Sequence, residues 1–136
     1  MTALSHPVRT PVETRDGGRF LRSVLRLDAV ASGALGVLGL AAAPAMSDLL
    51  GPGAGALRAV GAFLVVYAAG LVALAGLRTI PRPAAWTVVV GNLGWAVGTG
   101  VLAFAVHDFT TVGTVVVLAQ ATAVAGFADL QWVGLR

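Results

Sequence analysis

The stretch AAWTVVVGNLGWAVGTGVLAFAV, residues 84–106, decides the fold class of this chain. It carries no charged residue, and it exceeds the roughly 20 mostly apolar residues that a membrane-spanning helix needs. Three further apolar stretches of comparable length occupy about residues 24–43, 57–77 and 111–133. The pattern therefore predicts an all-α integral membrane protein, a four-helix bundle formed by residues 21–136.

The composition agrees with a membrane location and excludes several other classes of protein. Hydrophobic residues make up 57% of the 136 residues, charged residues make up 11%, and the mean hydropathy is +0.88. A soluble domain carries about 25% charged residues. A soluble globular protein, a disordered tail and a nucleic-acid-binding module are therefore excluded. The sequence pI of 11.1 reflects nine arginines against six acids rather than a nucleic-acid partner.

Short segments rich in proline, glycine or charge separate the four spans. Residues 44–55, 78–83 and 107–110 have this character, and proline restrains both its own backbone and that of the residue before it. The glycines of residues 51–55 predict a flexible external loop. Residues 1–20 hold mixed charges without an apolar face, which predicts a flexible cytoplasmic arm.

The arginines predict the orientation, because cytoplasmic loops carry an excess of basic residues. If the chain crosses the membrane four times, eight arginines fall on one side: Arg9, Arg15, Arg19, Arg22, Arg26, Arg78, Arg82 and Arg136. Arg58 alone falls on the other side. We therefore expect both termini in the cytoplasm and the spans in a bacterial inner membrane. The use of arginine for all nine basic residues, together with the high Ala, Gly and Val content, indicates a GC-rich genome.

Polar side chains inside the spans are the best indication of function, because they are costly in hydrocarbon. Depth along each helix places five of them in a central layer: Ser32, Tyr67, Asn92, Trp95 and Gln120. Asp28 borders this layer about one turn inside the cytoplasmic edge, and the indole N–H of Trp95 needs an acceptor at its depth. These six residues predict a ligand-binding or ion-binding site.

Two alternatives to a binding site stay open for the same residues. They can form a structural network of hydrogen bonds between helices, each contributing about 0.6 kcal/mol. In that case Asp28 would pair with an arginine: Arg22, Arg26 or Arg82. They can also contribute to a contact between two protein chains.

Glycines at helical spacing form two further stripes. The first span carries Gly33, Gly36 and Gly39, and the third carries Gly91, Gly94 and Gly98. Small residues at such spacing let two helix backbones approach closely in lipid. Both stripes therefore predict helix-packing interfaces.

Catalytic chemistry has little support in the sequence. His107 and Asp108 are neighbours on the predicted external turn, where such a pair is usually solvated. The chain has no cysteine, HExxH motif, phosphate-binding glycine loop or nucleophile elbow. We therefore expect no enzymatic activity, no catalytic residue, no metal site and no cofactor.

The first span also carries a resemblance. Leu25-Arg26-Leu27-Asp28-Ala29, followed by Ser32-Gly33 and Gly36, resembles the opening of small four-span membrane proteins of GC-rich bacteria that have no assigned function. An Asn and a Trp in the third span and a Gln in the fourth recur in those proteins, as Asn92, Trp95 and Gln120 do here. The resemblance covers about residues 20–136 and implies a four-helix membrane fold.

A second comparison rests on two residues. Asp28 and Trp95 resemble the single acid and the functional Trp of the small multidrug resistance transporters, which implies transport. The chain departs from that family because its acid is Asp rather than Glu and is shallower. It also has a longer N-terminal arm and a stronger arginine bias.

Three functions fit these observations. The first is a non-enzymatic subunit that self-associates or docks another membrane protein through its glycine faces. Its partners are then membrane lipids and a homo-oligomer or larger membrane complex. The second is a proton- or cation-coupled transporter or channel for a small solute that uses Asp28 and the central polar layer. The third is a lipid or hydrophobic-ligand binder that uses the same central pocket.

Overall fold

The computed structural model describes the backbone of residues 12–136 and the side chains of residues 17–136. Five α-helices make up the described chain. Their bounds are α1 Val12–Ala41, α2 Ala43–Leu50, α3 Ala54–Gly76, α4 Arg82–Ala105 and α5 Thr111–Leu135. The segment Gly17–Ala41 of α1 and the whole of α3, α4 and α5 are long and apolar enough to cross a membrane. The predicted all-α class is therefore confirmed, together with four helices of membrane-spanning length.

The first helix starts earlier than the sequence predicts. α1 begins at Val12, so residues 12–20, predicted as part of the arm, are helical, while residues 1–11 lie outside the described residues. This early part of α1 lies against the end of α5, because a Cβ placed on Gly17 would lie 3.6 Å from the carbonyl oxygen of Gly134. A Cβ placed on Gly134 of α5 would lie 3.0 Å from the Cβ of Leu21 and 3.2 Å from a ring carbon of Phe20.

A short helix occupies most of the segment predicted to separate the first two spans. α2 contains Pro44 in its first turn, where the missing N–H of proline has no helical partner to lose. The helix ends at Gly51, whose φ of +106° lies in the left-handed region that favours glycine. The predicted flexible loop of residues 51–55 is therefore wrong in extent, because α3 already begins at Ala54.

Glycines allow α1 and α3 to pack as an antiparallel pair with close backbones. A Cβ placed on Gly36 would lie 2.8 Å from the carbonyl oxygen of Gly61, and one on Gly61 would lie 2.7 Å from the carbonyl oxygen of Gly36. One turn further along α1, a Cβ on Gly39 would lie 2.9 Å from the carbonyl oxygen of Leu57. Larger side chains at these positions would force the two helices apart.

The helices α4 and α5 form a second pair, and α1 joins the two pairs by packing against α5. Buried apolar side chains from all four long helices form one core: Leu21, Leu25, Ala29, Leu71, Ala75, Ala85, Val89, Ala128 and Leu135. The backbones of α3 and α4 make few close approaches, although only residues 77–81 connect them. This separation leaves a cleft between the two helix pairs.

Polar contacts close both ends of the bundle. At the end that we call basic, the guanidinium of Arg22 donates to the carbonyl oxygens of Ala75 and Leu77, each at 3.1 Å. These carbonyls lie at the end of α3, where intrahelical partners are lacking. At the opposite end, which we call the turn end, the hydroxyl of Thr110 donates to the carbonyl oxygen of Leu49 at 2.7 Å. It also accepts from the N–H of Gly113 at 2.9 Å and so caps α5.

Candidate functional site

Asp28 is the centre of a polar cluster to which all four long helices contribute. Its side chain is 1% exposed. Oδ2 of the carboxylate accepts hydrogen bonds from the amide nitrogens of Asn92 and Gln131, each at 2.8 Å. Oδ1 accepts from the hydroxyl of Ser32, one turn further along α1, at 3.1 Å. Together with Tyr67, these residues form what we call the Asp28 cluster.

Tyr67 and Asn92 add a second set of contacts within the Asp28 cluster. The hydroxyl of Tyr67 lies 2.8 Å from Oδ1 of Asn92 and 3.1 Å from Oδ2 of Asp28, and its single hydrogen can be donated to one of them at a time. The amide nitrogen of Asn92 also donates to Oε1 of Gln131 at 3.1 Å. Loss of one member therefore disturbs the hydrogen bonds of several others.

Neutral donors rather than arginines hold the Asp28 carboxylate. Arg22 donates to the end of α3 instead, and both Arg26 and Arg82 are exposed. The structure thus pairs Asp28 with none of the three arginines that the sequence offers as partners. A carboxylate can accept about four hydrogen bonds, and this arrangement brings donors to both of its oxygens.

Four of the six residues predicted for the site meet in the Asp28 cluster, and the sequence-based set omits its fifth member. Gln131 is fully buried, although its sequence position suggests the headgroup level. It follows Gln120 by eleven residues, which places the two glutamines on nearly the same face of α5. This shared face is the feature of the sequence from which Gln131 could have been predicted as a site residue. Depth counted along one helix missed Gln131, because the offset of α5 relative to α1 depends on tertiary packing.

Two adjoining cavities form the cleft between the α1–α3 pair and the α4–α5 pair. The first has a volume of about 480 Å³ and reaches Asp28 and Tyr67 of the cluster. The second, of about 710 Å³, extends toward the turn end as far as Pro52 and Phe109. The two cavities adjoin, because five residues line both of them: Leu35, Leu64, Gly91, Trp95 and Gln120.

Aromatic rings from α3 and α4 line the first cavity of the cleft. The ring of Phe63 stacks on that of Trp95, with the centroids 5.5 Å apart and the planes inclined by 7°. It also stacks on Tyr67, at a centroid distance of 6.3 Å. Phe63 is 54% exposed, so the cleft opens at the surface of the bundle with this ring at its edge.

The two remaining predicted residues, Trp95 and Gln120, line the cleft and take no part in the Asp28 cluster. Among the side chains of residues 17–136, Nε1 of Trp95 is the buried polar atom that has no hydrogen-bond partner. Gln120 is half-buried, and like Trp95 it lines both cavities. The predicted layer is therefore divided between residues that form hydrogen bonds in the Asp28 cluster and residues that line the cleft outside it.

The two glycine stripes have different surroundings. Gly36 and Gly39 pack against α3 inside the chain, and a Cβ on Gly33 would lie 3.4 Å from the Cβ of Ala68. By contrast, a Cβ on any glycine of the second stripe would meet no atom within 4 Å; this stripe comprises Gly91, Gly94 and Gly98. The second stripe lines the second cavity. The first stripe therefore serves the fold of the single chain, while the second is open.

Within the side chains that the structure describes, no three His, Cys, Asp or Glu residues lie close enough to hold a metal ion. Comparison with protein-family models, curated proteins and solved structures gives no significant match. The resemblances that the sequence offers therefore stay predictions. The fold and site define an all-α chain with four helices of membrane-spanning length, one buried carboxylate held by neutral side chains, and an adjoining apolar cleft.

Proposed function

We propose that this chain is a multi-pass protein of a bacterial inner membrane with both termini in the cytoplasm. The outward faces of the long helices support a membrane location, because each carries a valine that is more than half exposed: Val30, Val66, Val90 and Val115. Contiguous apolar surface of this kind is unusual on a soluble monomer. The orientation is supported by the arginines at the basic end, where the cytoplasmic side is expected to be positive.

Within that membrane, the protein binds a hydrophobic ligand in the cleft. The observation that carries this proposal is the cleft itself, with adjoining cavities of about 480 and 710 Å³ and the Asp28 cluster at one end. Ligand pockets commonly measure about 300–1,000 Å³ and are mostly apolar, with a few polar groups that orient the ligand. The cleft has this size and this distribution of polar groups.

The size of the cleft favours a small molecule over a transmembrane helix as its occupant. A helix of 20 residues and about 10 Å diameter occupies roughly 2,400 Å³, about twice the volume of the two cavities taken together. The opening beside Phe63 faces the surrounding lipid in this arrangement. A molecule dissolved in the bilayer therefore has a sideways path into the cleft.

Filling the cleft should remove the ligand. Gly91 lines both cavities, and a Cβ on it meets nothing within 4 Å, so Gly91→Leu places a side chain in the cleft without displacing backbone. The protein is extracted in mild detergent from its own membrane and weighed by native mass spectrometry. We expect the wild type to retain a small hydrophobic molecule and Gly91→Leu to retain about tenfold less, a difference of about 1.4 kcal/mol.

Gly126→Leu is the matched control, because Gly126 is also open but lines neither of these cavities. Ala123→Phe fills the first cavity from α5 and repeats the test away from the glycine stripe. A wild-type protein that carries no small molecule would contradict the proposed function. Equal retention of a small molecule by the wild type, Gly91→Leu and Ala123→Phe would also contradict binding in the cleft.

A second candidate function is docking of another membrane protein or a second copy of this chain. The open stripe of Gly91, Gly94 and Gly98 favours it, because glycines at that spacing let a foreign helix approach closely. Gly94→Leu should then reduce the mass of the assembly in mild detergent while the chain stays folded. An unchanged mass would count against docking at this stripe.

A further inference from the structure

We infer that the basic end binds an anionic phospholipid, whose phosphate contacts arginines of α1 and of the α3–α4 connection. These arginines line neither cavity of the cleft, so the inference rests on the proposed membrane location alone and not on the ligand of the cleft. Four residues form what we call the arginine patch: Arg19, Arg22, Arg26 and Arg78.

Three members of the arginine patch share one face of α1. At 3.6 residues per turn, Arg19, Arg22 and Arg26 lie within an arc of about 60° around the helix. The guanidinium of Arg22 shows where this face points, because it donates to two carbonyl oxygens at the end of α3. A third contact, of 3.5 Å, joins it to the carbonyl oxygen of Arg78. The arginines of α1 therefore lie beside the connection that carries Arg78.

The acids that the structure describes lie away from the arginine patch. Among the side chains of residues 17–136, the acids are Asp28, Asp48, Asp108 and Asp129. The first is buried among neutral donors, and the next two lie toward the turn end. Asp129 belongs to α5, which meets α1 at Leu21, about 100–160° around α1 from the three arginines. An anion for the patch must therefore come from outside the described residues.

The position of Arg26 points to a lipid as the source of that anion. Arg26 is exposed and lies about 6 Å deeper along α1 than Arg22, which marks the end of α3. Leu27 and Val30 beside it are 60% and 71% exposed, so this surface faces lipid in the proposed membrane. A cation in hydrocarbon is unfavourable, and a long arginine side chain extends to the headgroup level instead. Lipid phosphates lie at that level.

The concentration of positive charge favours an anionic lipid over a zwitterionic one. A guanidinium binds phosphate through paired N–H donors, and it keeps its charge at any physiological pH. Phosphatidylcholine also has a phosphate, but neighbouring arginines repel its ammonium group. An anionic headgroup has no such ammonium, and its acyl chains extend along the exposed apolar surface at Leu27 and Val30. A soluble phosphate compound would gain nothing from that apolar surface.

A pair of lipids with identical acyl chains isolates the charge of the headgroup. Purified protein in a mild non-ionic detergent is incubated with equal amounts of phosphatidylglycerol and phosphatidylcholine, and the bound amounts are measured by native mass spectrometry. One arginine near an anionic surface contributes about fivefold, which corresponds to about 1 kcal/mol. We therefore expect about a 25-fold preference of the wild type for phosphatidylglycerol from Arg26 and Arg78 together.

Arg26→Gln and Arg78→Gln should each lower this preference about fivefold, and the double variant should bring the ratio near one. Arg78 lies in a connection rather than a helix, so Arg78→Gln tests the patch even if Arg26→Gln does not fold. Arg58→Gln is the matched control. It removes the same charge from an exposed site toward the turn end, and it should leave the preference unchanged.

The outcomes separate the arginine patch from the cleft. A ratio near one in the wild type overturns the inference, as does a loss in Arg58→Gln equal to that in Arg26→Gln and Arg78→Gln. Displacement of phosphatidylglycerol by millimolar inorganic phosphate would show a site for free anions and would also overturn it. Gly91→Leu should keep the headgroup preference while it loses the ligand of the cleft. Loss of the preference in Gly91→Leu would place the lipid in the cleft and contradict binding at the patch.

Discussion

Among the side chains of residues 17–136, neutral hydrogen-bond donors rather than a cation contact the Asp28 carboxylate, and its burial depends on these donors. An isolated charge in an apolar interior is strongly unfavourable unless hydrogen bonds replace its hydration. Asn92 and Gln131 each donate to Oδ2 at 2.8 Å, and Ser32 donates to Oδ1. The donors come from α1, α4 and α5, so these hydrogen bonds form together only when the three helices have the correct relative alignment.

Asn92→Leu should lower the free energy of unfolding by about 1–3 kcal/mol. The variant removes one donor from Asp28 and leaves the hydroxyl of Tyr67 with one acceptor instead of two. Unfolding in mixed micelles with increasing SDS measures the change. Thr122→Val is the control, because the exposed hydroxyl of Thr122 bonds to the carbonyl of Leu118 in its own helix. A loss no larger than that of Thr122→Val would contradict a structural role for the cluster.

The sequence predicted Asp28, Ser32, Tyr67 and Asn92 as site residues because polar groups inside apolar spans are rare. It could not distinguish these four residues, which form hydrogen bonds with one another, from Trp95 and Gln120, which line the cleft outside the cluster. That division depends on side-chain directions and on distances of a few ångströms between helices, which spacing along one helix does not contain.

At the scale of helices, the same pattern of glycines has two different uses. The first stripe brings α1 and α3 together through contacts such as that of Gly36 with Gly61, whereas the second stripe on α4 borders the cleft. Sequence spacing predicts close helix packing for both. Only the positions of the neighbouring helices show that α3 packs closely against the first stripe and that the second stripe has no such neighbour among the described residues.

Gly36→Ala and Gly94→Ala should change stability in opposite directions. A Cβ on Gly36 lies 2.8 Å from both the carbonyl oxygen of Gly61 and a methyl carbon of Val65, so Gly36→Ala should destabilise the fold by about 1–3 kcal/mol. Gly94 has open space, and alanine there gains up to about 1 kcal/mol of helix propensity. Unfolding in SDS micelles compares the two. Equal effects of both substitutions would show that α1 and α3 do not pack as described.

In the described part of the chain, two pairs of long helices meet through α1 and α5, while the backbones of α3 and α4 stand apart and side chains such as Phe63 and Trp95 bridge them. This arrangement produces the cleft. It also places Arg78 of the α3–α4 connection and Arg82 at the start of α4 at the basic end, opposite to the turn that contains His107 and Asp108. The proposed orientation follows from that asymmetry.

Single-cysteine variants test the orientation, since the chain has no cysteine of its own. Thr79 and His107 are exposed and lie in the connections at opposite ends of the bundle. A membrane-impermeant maleimide added to intact cells should label His107→Cys and leave Thr79→Cys unlabelled until the cells are permeabilised. Labelling of Thr79→Cys alone in intact cells would show that the orientation is opposite to the proposed one. Labelling of both variants would contradict a single orientation of the chain.

The sequence by itself determined the helical class and four spans of membrane length, because apolar length and breaker residues act locally. Arginine placement likewise gave one predicted orientation. Tertiary structure decided that Gln131 reaches Asp28, that α2 forms before Gly51, and that α3 and α4 leave a cleft lined by Trp95. These features depend on helix offset, tilt and pairing, and such quantities arise only when the four helices pack against one another.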